Sequence, residues 1–324
     1  MIEIFLWALL FVASLSILLK ASNIFTDSAE EIGYFFKLPA FVIGVTIVAF
    51  GTSLPELISS IFAVIQGSSE IVSGNVVGSN VTNIFLVLGV AAIVAKKIKV
   101  NHEIINVDLP ILMASAFLLG LTTLDGKFTF VEALLCLVGL TIYLFHTVTV
   151  KKIVGKEDDA MEKDLKKEFN EIKFKEFPVK SLVMLLVSMS FLFIGAKYTI
   201  DSAVKLSEIL NIGKEVIAGT VIALGTSFPE LAVSFAGARR GKADIVVGNV
   251  LGSNIFNSLG VMGVAGLFGV IVVPVSILTF GLPILVIATI LYLFVTQDKE
   301  ITRWEGSFLI ILYIFYVGKL LGFV

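Results

Sequence analysis

Residues 41–90 read FVIGVTIVAFGTSLPELISSIFAVIQGSSEIVSGNVVGSNVTNIFLVLGV, and residues 215–264 read EVIAGTVIALGTSFPELAVSFAGARRGKADIVVGNVLGSNIFNSLGVMGV. Laid over one another without a gap at an offset of 174, 24 of these 50 positions are identical. Chance likeness between two apolar stretches scatters Leu, Val and Ile matches. It does not place Gly-Thr-Ser, Pro-Glu and Gly-Asn-Val strings at one offset. The same offset pairs Asp27-Ser28-Ala29 with Asp201-Ser202-Ala203, so the duplication begins near the first apolar segment. An internal repeat of this size decides the architecture.

Around the repeat, the composition excludes most soluble folds. Of 324 residues, 57% are hydrophobic and only 15% charged, with a mean hydropathy of +1.01. An ordinary soluble domain is roughly 45–50% apolar and about 25% charged. The chain reads as an all-α polytopic membrane protein. Its 24 basic and 26 acidic residues nearly cancel, which gives no case for a nucleic-acid partner. The single cysteine, Cys136, excludes an internal disulfide and a multi-cysteine zinc site. Two histidines, His102 and His146, leave little for a histidine-based metalloenzyme. There is no HExxH, GxSxG or nucleotide-binding loop, so the chain does not read as an enzyme.

Ten apolar runs approach the roughly 20 residues needed to cross a bilayer core: about 3–20, 38–65, 71–95, 108–124, 128–150, 180–203, 212–238, 244–270, 272–296 and 304–323. Glu3 stands where a cleavable signal would be basic, and the first lysine is Lys20. Residues 151–179 form the one long hydrophilic stretch, a charged connector between a first half (1–150) and a second half (180–324). Five is odd, so two halves of five spans enter the membrane with opposite polarity. This predicts two inverted five-helix repeats, with the substrate site near mid-membrane at their interface. With the N-terminus outside, 19 of the 24 Lys and Arg fall on the inner side. The positive-inside rule therefore predicts a multi-pass protein of the cell membrane, both termini outside and the connector cytoplasmic.

Each half carries Gly-Thr-Ser-x-Pro-Glu within an apolar span: Gly51 to Glu56 and Gly225 to Glu230. Proline removes a backbone donor and breaks the helix, predicting broken helices 2 and 7, with freed carbonyls around Ala49–Gly51 and Ala223–Gly225. In hydrocarbon, freed carbonyls need a partner or a cavity. Glu56 and Glu230 follow the breaks, and a carboxylate at the bilayer centre costs at least about 2.5–3.5 kcal/mol. No Lys or Arg lies in span 2, and Arg239 and Arg240 fall at the far end of span 7. Both glutamates read as cation ligands. Asn75, Ser79 and Asn83 share a helical face at a spacing of four, and Asn249, Ser253 and Asn257 repeat it. Gly74, Gly78, Gly248 and Gly252 allow close approach between membrane helices. The collected donors are carboxylates, the Thr52-Ser53 and Thr226-Ser227 hydroxyls, carbonyls and Ser/Asn oxygens, without thiol or imidazole. An all-oxygen set suits Ca²⁺, which takes about 6–8 oxygens, and Na⁺ accepts the same donors; soft metals want sulfur or nitrogen.

The paired GTSLPE…GNVVGSNVTN and GTSFPE…GNVLGSNIFN strings resemble the alpha repeats of the cation/Ca²⁺ antiporter superfamily, above all those of prokaryotic Na⁺/Ca²⁺ exchangers. The resemblance extends over essentially the whole chain. It implies a Ca²⁺ site formed by Glu56, Thr52, Glu230 and Thr226. Flanking Na⁺ sites would use Ser53, Ser79 and the Ala49 carbonyl on one side, and Ser227, Ser253 and the Ala223 carbonyl on the other, with Asn83 and Asn257 at the centre's border. Some members of that superfamily, K⁺-dependent ones included, carry Asp where this chain has Asn257, so two motif charges argue against K⁺ co-transport.

The reading is therefore an antiporter exchanging Na⁺ for Ca²⁺ by alternating access, with no cofactor beyond the transported ions. Matched hydroxyl and carbonyl sets leave room for a third Na⁺ and thus for electrogenic 3:1 exchange. Two alternatives share the sequence: a Ca²⁺/H⁺ antiporter cycling protons on the glutamates, and a Ca²⁺-selective channel. The doubled Thr-Ser pairs favour Na⁺ over protons, and a site that closes within one chain favours a monomer over a channel ring. Asp27 and Asp201 read as helix caps, Lys197 and Asp201 as an i,i+4 pair, and Cys136 as packing.

Overall fold

A computed structural model describes residues 2–35, 49–99, 108–154, 178–239, 241 and 243–323. Most of the connector, His102 and Arg240 lie outside the described residues. The described residues are mostly helical: α1 (Ile2–Phe35), α2 (Ala49–Thr52), α3 (Leu54–Ile65), α4 (Glu70–Val81), α5 (Leu88–Ala95), α6 (Leu109–Thr122), α7 (Phe130–Val154) and α8 (Val179–Leu210) come first. Then follow α9 (Lys214–Ile217), α10 (Ala223–Thr226), α11 (Phe228–Arg239), α12 (Ala243–Ile255), α13 (Met262–Gly266), α14 (Leu282–Thr296) and α15 (Arg303–Leu320). Single π-turns join several of them: Thr82–Val87 between α4 and α5, Ala218–Ile222 between α9 and α10, and Phe256–Val261 between α12 and α13. A fourth, Ile277–Gly281, leads into α14.

Among the described residues, five helical stretches are long and apolar enough to cross a membrane, and a sixth is the pair Lys214–Thr226 and Phe228–Arg239, bent by 43°. Leu54–Ile65 and Leu109–Thr122 are apolar but shorter. The second expected span begins in residues 38–48, which lie outside the described residues, and the tenth is the helix Arg303–Leu320. Two helices run past their apolar stretch. α1 continues to Phe35 and α8 to Leu210, because nothing in the polar turns that follow breaks a helix. Asp27 and Asp201 consequently lie inside these helices and do not cap them. Lys197 does not pair with Asp201 either: its Nζ lies 5.6 Å from the centre of the Tyr198 ring.

Burial orders the bundle. In the window scored for Glu70–Ala95, 83% of the residues are buried, against 22% for Ile2–Phe25, 22% for Phe130–Thr147 and 28% for Val179–Leu210. The span carrying the Asn/Ser stripe is thus the axis, and α1, α7 and α8 are peripheral. α1 and α8 lie along one another, crossing where a Cβ on Gly195 would stand 2.8 Å from the Leu18 nitrogen. Thr199 Oγ1 donates to Ser14 Oγ at 3.1 Å across this seam. Cys136 is buried within the apolar core.

Two short strand pairs fasten distant loops. β1 (Lys97–Lys99) runs antiparallel to β4 (Glu300–Thr302), with Lys97 opposite Thr302 and Ile98 opposite Ile301. β2 (Lys127–Phe128) runs antiparallel to β3 (Ile271–Val272), with Phe128 opposite Ile271 and Lys127 opposite Val272. Adding 174 to Lys97 gives Ile271, and subtracting it from Thr302 gives Phe128. The offset of the sequence repeat therefore carries one ladder onto the other in register.

Candidate cation site

Both Gly-Thr-Ser-x-Pro-Glu strings interrupt a helix at their serine. Ser53, at φ −89° and ψ 7°, separates α2 from α3, and Ser227, at φ −82° and ψ 6°, separates α10 from α11. Pro55 and Pro229 fall in the first turn of the restarted helices, where the missing N–H has no intrahelical partner to lose. The main chain bridges each gap: Leu57 N donates to Ser53 O at 3.1 Å, and Leu231 N to Ser227 O at 3.0 Å. Glu56 and Glu230 sit in the same first turns, where the helix dipole favours a negative charge.

Both glutamates are fully buried, at 0% exposure. Ser79 Oγ donates to Glu56 Oε1 at 3.3 Å, and Ser53 Oγ to Glu230 Oε1 at 3.3 Å. Each carboxylate faces the other half's motif: Thr226 and Ser227 stand beside Glu56, and Thr52 and Ser53 beside Glu230. Ser227 closes no hydrogen bond with Glu56, however, and its hydroxyl has no partner among the described residues. Thr52 and Ser253 hydroxyls meet at 3.4 Å. The two carboxylates also repel one another, and none of the ion pairs formed by described residues involves either one. Glu56 Oε2 and Glu230 Oε2 are buried with no donor. An unmet buried acceptor costs about 1–3 kcal/mol, and more when charged. Such a pair of oxygens has the chemistry of a cation cage. Among the described residues no cluster of three or more His, Cys, Asp or Glu exists, so any cation held here would be held by two carboxylates and neutral oxygens.

The bundle axis supplies the rest of the cage wall. A Cβ on Gly78 would lie 2.6 Å from Gly219 O and 2.8 Å from Ala223 Cβ, so α4 crosses the π-turn before α10 in backbone contact. Gly74 meets Glu215 O in the same way at 2.5 Å. Among the described residues, a Cβ on Gly248 would meet nothing within 4 Å. Asn83 and Asn257 each lie in a π-turn, a local unwinding that recurs at functional sites.

A profile of the sodium/calcium exchanger proteins matches residues 6–149 and 180–321. The chain belongs to that family. It is 34% identical to the sodium/calcium exchanger MaX1 of Methanosarcina acetivorans, covering 96% of this chain and 97% of that one. It is equally 34% identical to an uncharacterized membrane protein of Methanocaldococcus jannaschii, covering 96% of each. Among solved structures, the sodium-calcium exchanger NCX_Mj soaked with 100 mM Na⁺ and 10 mM Sr²⁺ superposes with a TM-score of 0.67 at 32% identity, covering 97% of this chain and 98% of that one.

Within this exchanger fold, Thr52, Ser53, Glu56, Ser79, Thr226, Ser227, Glu230 and Ser253 come together as the repeat requires. Asn257 is fully buried, and its two polar atoms both lack partners among the described residues. Asn83 is engaged elsewhere: its Nδ2 donates to Asn254 Oδ1 at 3.0 Å, leaving Oδ1 unmet. The expectation of freed carbonyls fails at Ala223, whose oxygen accepts from Ser227 N at 3.0 Å and from Thr226 Oγ1 at 3.4 Å. Of Ala49, only its place at the start of α2 is described. The spacing argument also passed over Asn80 and Asn254, which lie one residue off the i,i+4 stripe. Asn80 Nδ2 donates to Asn254 O and Ser258 Oγ, and Asn254 Nδ2 donates back to Asn80 O. The signal was in the sequence, since both stand in the duplicated Gly-Ser-Asn string.

Proposed function

We propose that this chain is a Na⁺/Ca²⁺ antiporter of the cell membrane working by alternating access, with Ca²⁺ at Glu56, Glu230, Thr52 and Thr226. Na⁺ ions occupy the same glutamates together with Ser53, Ser79, Ser227, Ser253, and the Ala49 and Ala223 carbonyls, bordered by Asn83 and Asn257. The observation that carries this reading is the pair of buried carboxylate oxygens, Glu56 Oε2 and Glu230 Oε2, that no donor among the described residues satisfies. An arriving cation supplies what the fold withholds. Two charges match one Ca²⁺, whereas Na⁺ reaches neutrality with two ions and uses dipoles to hold a third.

The frame around the site is two inverted repeats of five spans, residues 1–150 and 180–324, joined by the 151–179 connector. The reciprocal Asn80–Asn254 bonds and the interchangeable strand ladders support this symmetry. By the distribution of basic residues, both termini are outside and the connector is cytoplasmic. The site closes within one chain, so a monomer suffices.

The test is Ca²⁺ uptake into proteoliposomes driven by an outward Na⁺ gradient under a valinomycin-set potential. With three Na⁺ per Ca²⁺, one net charge crosses per cycle, and 100 mV then biases the exchange by about 2.3 kcal/mol. Uptake indifferent to voltage means 2:1 exchange, and uptake that needs a proton gradient means that protons are the coupling ion. Uptake without any counter-ion gradient dependence would make the protein a channel. A cysteine at Glu162, in a Cys136→Ala background, labels from the cytoplasmic side alone if the orientation is correct.

A further inference from the structure

Asn75 and Asn249 occupy the same place in the two repeats, yet they do different things. Asn249 Nδ2 donates to Ser234 Oγ at 3.0 Å and to the Glu230 carbonyl at 3.0 Å, tying α12 to α11 beside one glutamate. The mirror bonds would join Asn75 Nδ2 to Ser60 Oγ and the Glu56 carbonyl. They are not made: Asn75 Nδ2 and Ser60 Oγ are both buried without a partner among the described residues. Asn75 Oδ1 instead stands 3.5 Å from Thr226 Oγ1, a hydroxyl of the other half's cation motif that also reaches the Ile222 carbonyl at 3.1 Å. The mirror of that contact is missing too, because Asn249 Oδ1 is unmet and Thr52 turns to Ser253. Glu230 accepts from Ser53 of the opposite motif, whereas Glu56 accepts from Ser79 of its own half, so the same asymmetry reaches the carboxylates.

Identical residues placed in the same local sequence have the same intrinsic preferences. A difference this consistent is therefore a difference of state between the halves, and an inverted repeat reaches its opposite state by exchanging the two arrangements. We infer that Asn75 and Asn249 are paired latches that alternate during transport. Each asparagine has two positions. In one it clasps its own half through a serine and a glutamate carbonyl; in the other it holds the threonine of the opposite cation motif. When Asn249 leaves Ser234 and accepts from Thr52, Asn75 leaves Thr226 and closes on Ser60. They are positioning residues: they touch threonine and glutamate main chain, and through these they set which half of the cage is drawn in. A buried amide with no partner is unstable in either position, so closing one latch while the other stays open leaves an unmet group ready for the next half-cycle.

This inference rests on the inverted-repeat antiporter reading, and hydrogen–deuterium exchange separates the two. Uptake would be followed in α3 (Leu54–Ile65) and α11 (Phe228–Arg239) of the full-length protein in detergent. Asn249→Ala should speed exchange in α11 and slow it in α3, each by about tenfold for the loss of one or two hydrogen bonds. Asn75→Ala should do the reverse, slowing α11. Ser234→Ala and Ser60→Ala remove only the acceptors, and they carry the same signs should an asparagine variant fail to fold. If each variant loosens its own helix and leaves the other untouched, the asparagines are plain packing bonds and the inference is overturned. If the reciprocal pattern appears but no cation gradient drives Ca²⁺ uptake, the latches stand and the antiport reading falls.

Discussion

Asn80 and Asn254 make the same bond in both directions: Asn80 Nδ2 reaches Asn254 O at 3.4 Å, and Asn254 Nδ2 reaches Asn80 O at 3.3 Å. The two residues stand 174 positions apart, the offset of the repeat. This exchange marks where the two halves meet, one residue from Ser79 and Ser253 of the proposed cation cage. Cutting it strands buried polar groups on both sides. Asn80→Ala should cost about 1–3 kcal/mol and lower the unfolding midpoint in detergent. Asn254→Ala should destabilise by a similar amount, since it loses the 3.0 Å bond from Asn83 as Asn80→Ala loses the 2.8 Å bond to Ser258. An unchanged midpoint in both would remove these bonds from the account of stability.

Replacing Glu56 or Glu230 by Gln keeps shape and removes one charge. Each variant should abolish Na⁺-driven Ca²⁺ uptake while remaining monodisperse after extraction. The folded protein offers a second readout. A ligand bound only by the native state stabilises it by about 2.7 kcal/mol at a hundred times its dissociation constant, so Ca²⁺ should raise the wild-type unfolding midpoint and leave either variant's unmoved. Wild-type exchange by a Gln variant would take that residue out of the site.

Asn257 is the place to add charge. Its side chain is fully buried and both polar atoms lack partners. Asn257→Asp should weaken the ion-free protein, because a third carboxylate joins two that already repel. The same change should enlarge the rise in unfolding midpoint that Ca²⁺ produces. A rise no larger than that of wild type would place Asn257 outside the cation's reach.

Gly78→Ala tests the helix crossing that shapes the cage. The new methyl would stand 2.6 Å from Gly219 O and 2.7 Å from Gly219 Cα, both main-chain atoms that no rotamer change relieves. Uptake should fall to background with a clear loss of stability. Gly120→Ala in α6 is the control, since a Cβ there meets nothing within 4 Å, and helix propensity favours the alanine by about 0.8–1 kcal/mol.

The parts of this site that could be read without coordinates were those where chemistry and duplication coincide. A proline, a glutamate and two hydroxyls recurring at one offset announce a broken helix with a charge beside the break, and Ser53 and Ser227 mark those breaks. Spacing served less well. The i,i+4 rule selected Asn75, Ser79 and Asn83 on an ideal helix, whereas Asn83 falls in the π-turn Thr82–Val87 and Asn80, one residue off that face, is the one that meets its counterpart Asn254. Proline arithmetic left the Ala223 carbonyl free, whereas Ser227 N and Thr226 Oγ1 fill it. The unequal bonding of Asn75 and Asn249 has no trace in the residues themselves, because a conformational state is not a property of composition.

The two strand ladders bear on how such a chain is made. β1 waits for β4, which begins at Glu300, and β2 waits for β3, which begins at Ile271. Lys97 and its partner Thr302 are separated by 205 residues, nearly two thirds of the 324-residue chain. The first half therefore emerges from the ribosome with its loop edges bare, and helices inserted early must wait in the bilayer for the last ones before their ends are secured. A chain halted before residue 300 keeps the whole cation motif of both halves, yet it leaves Lys97–Lys99 an open edge.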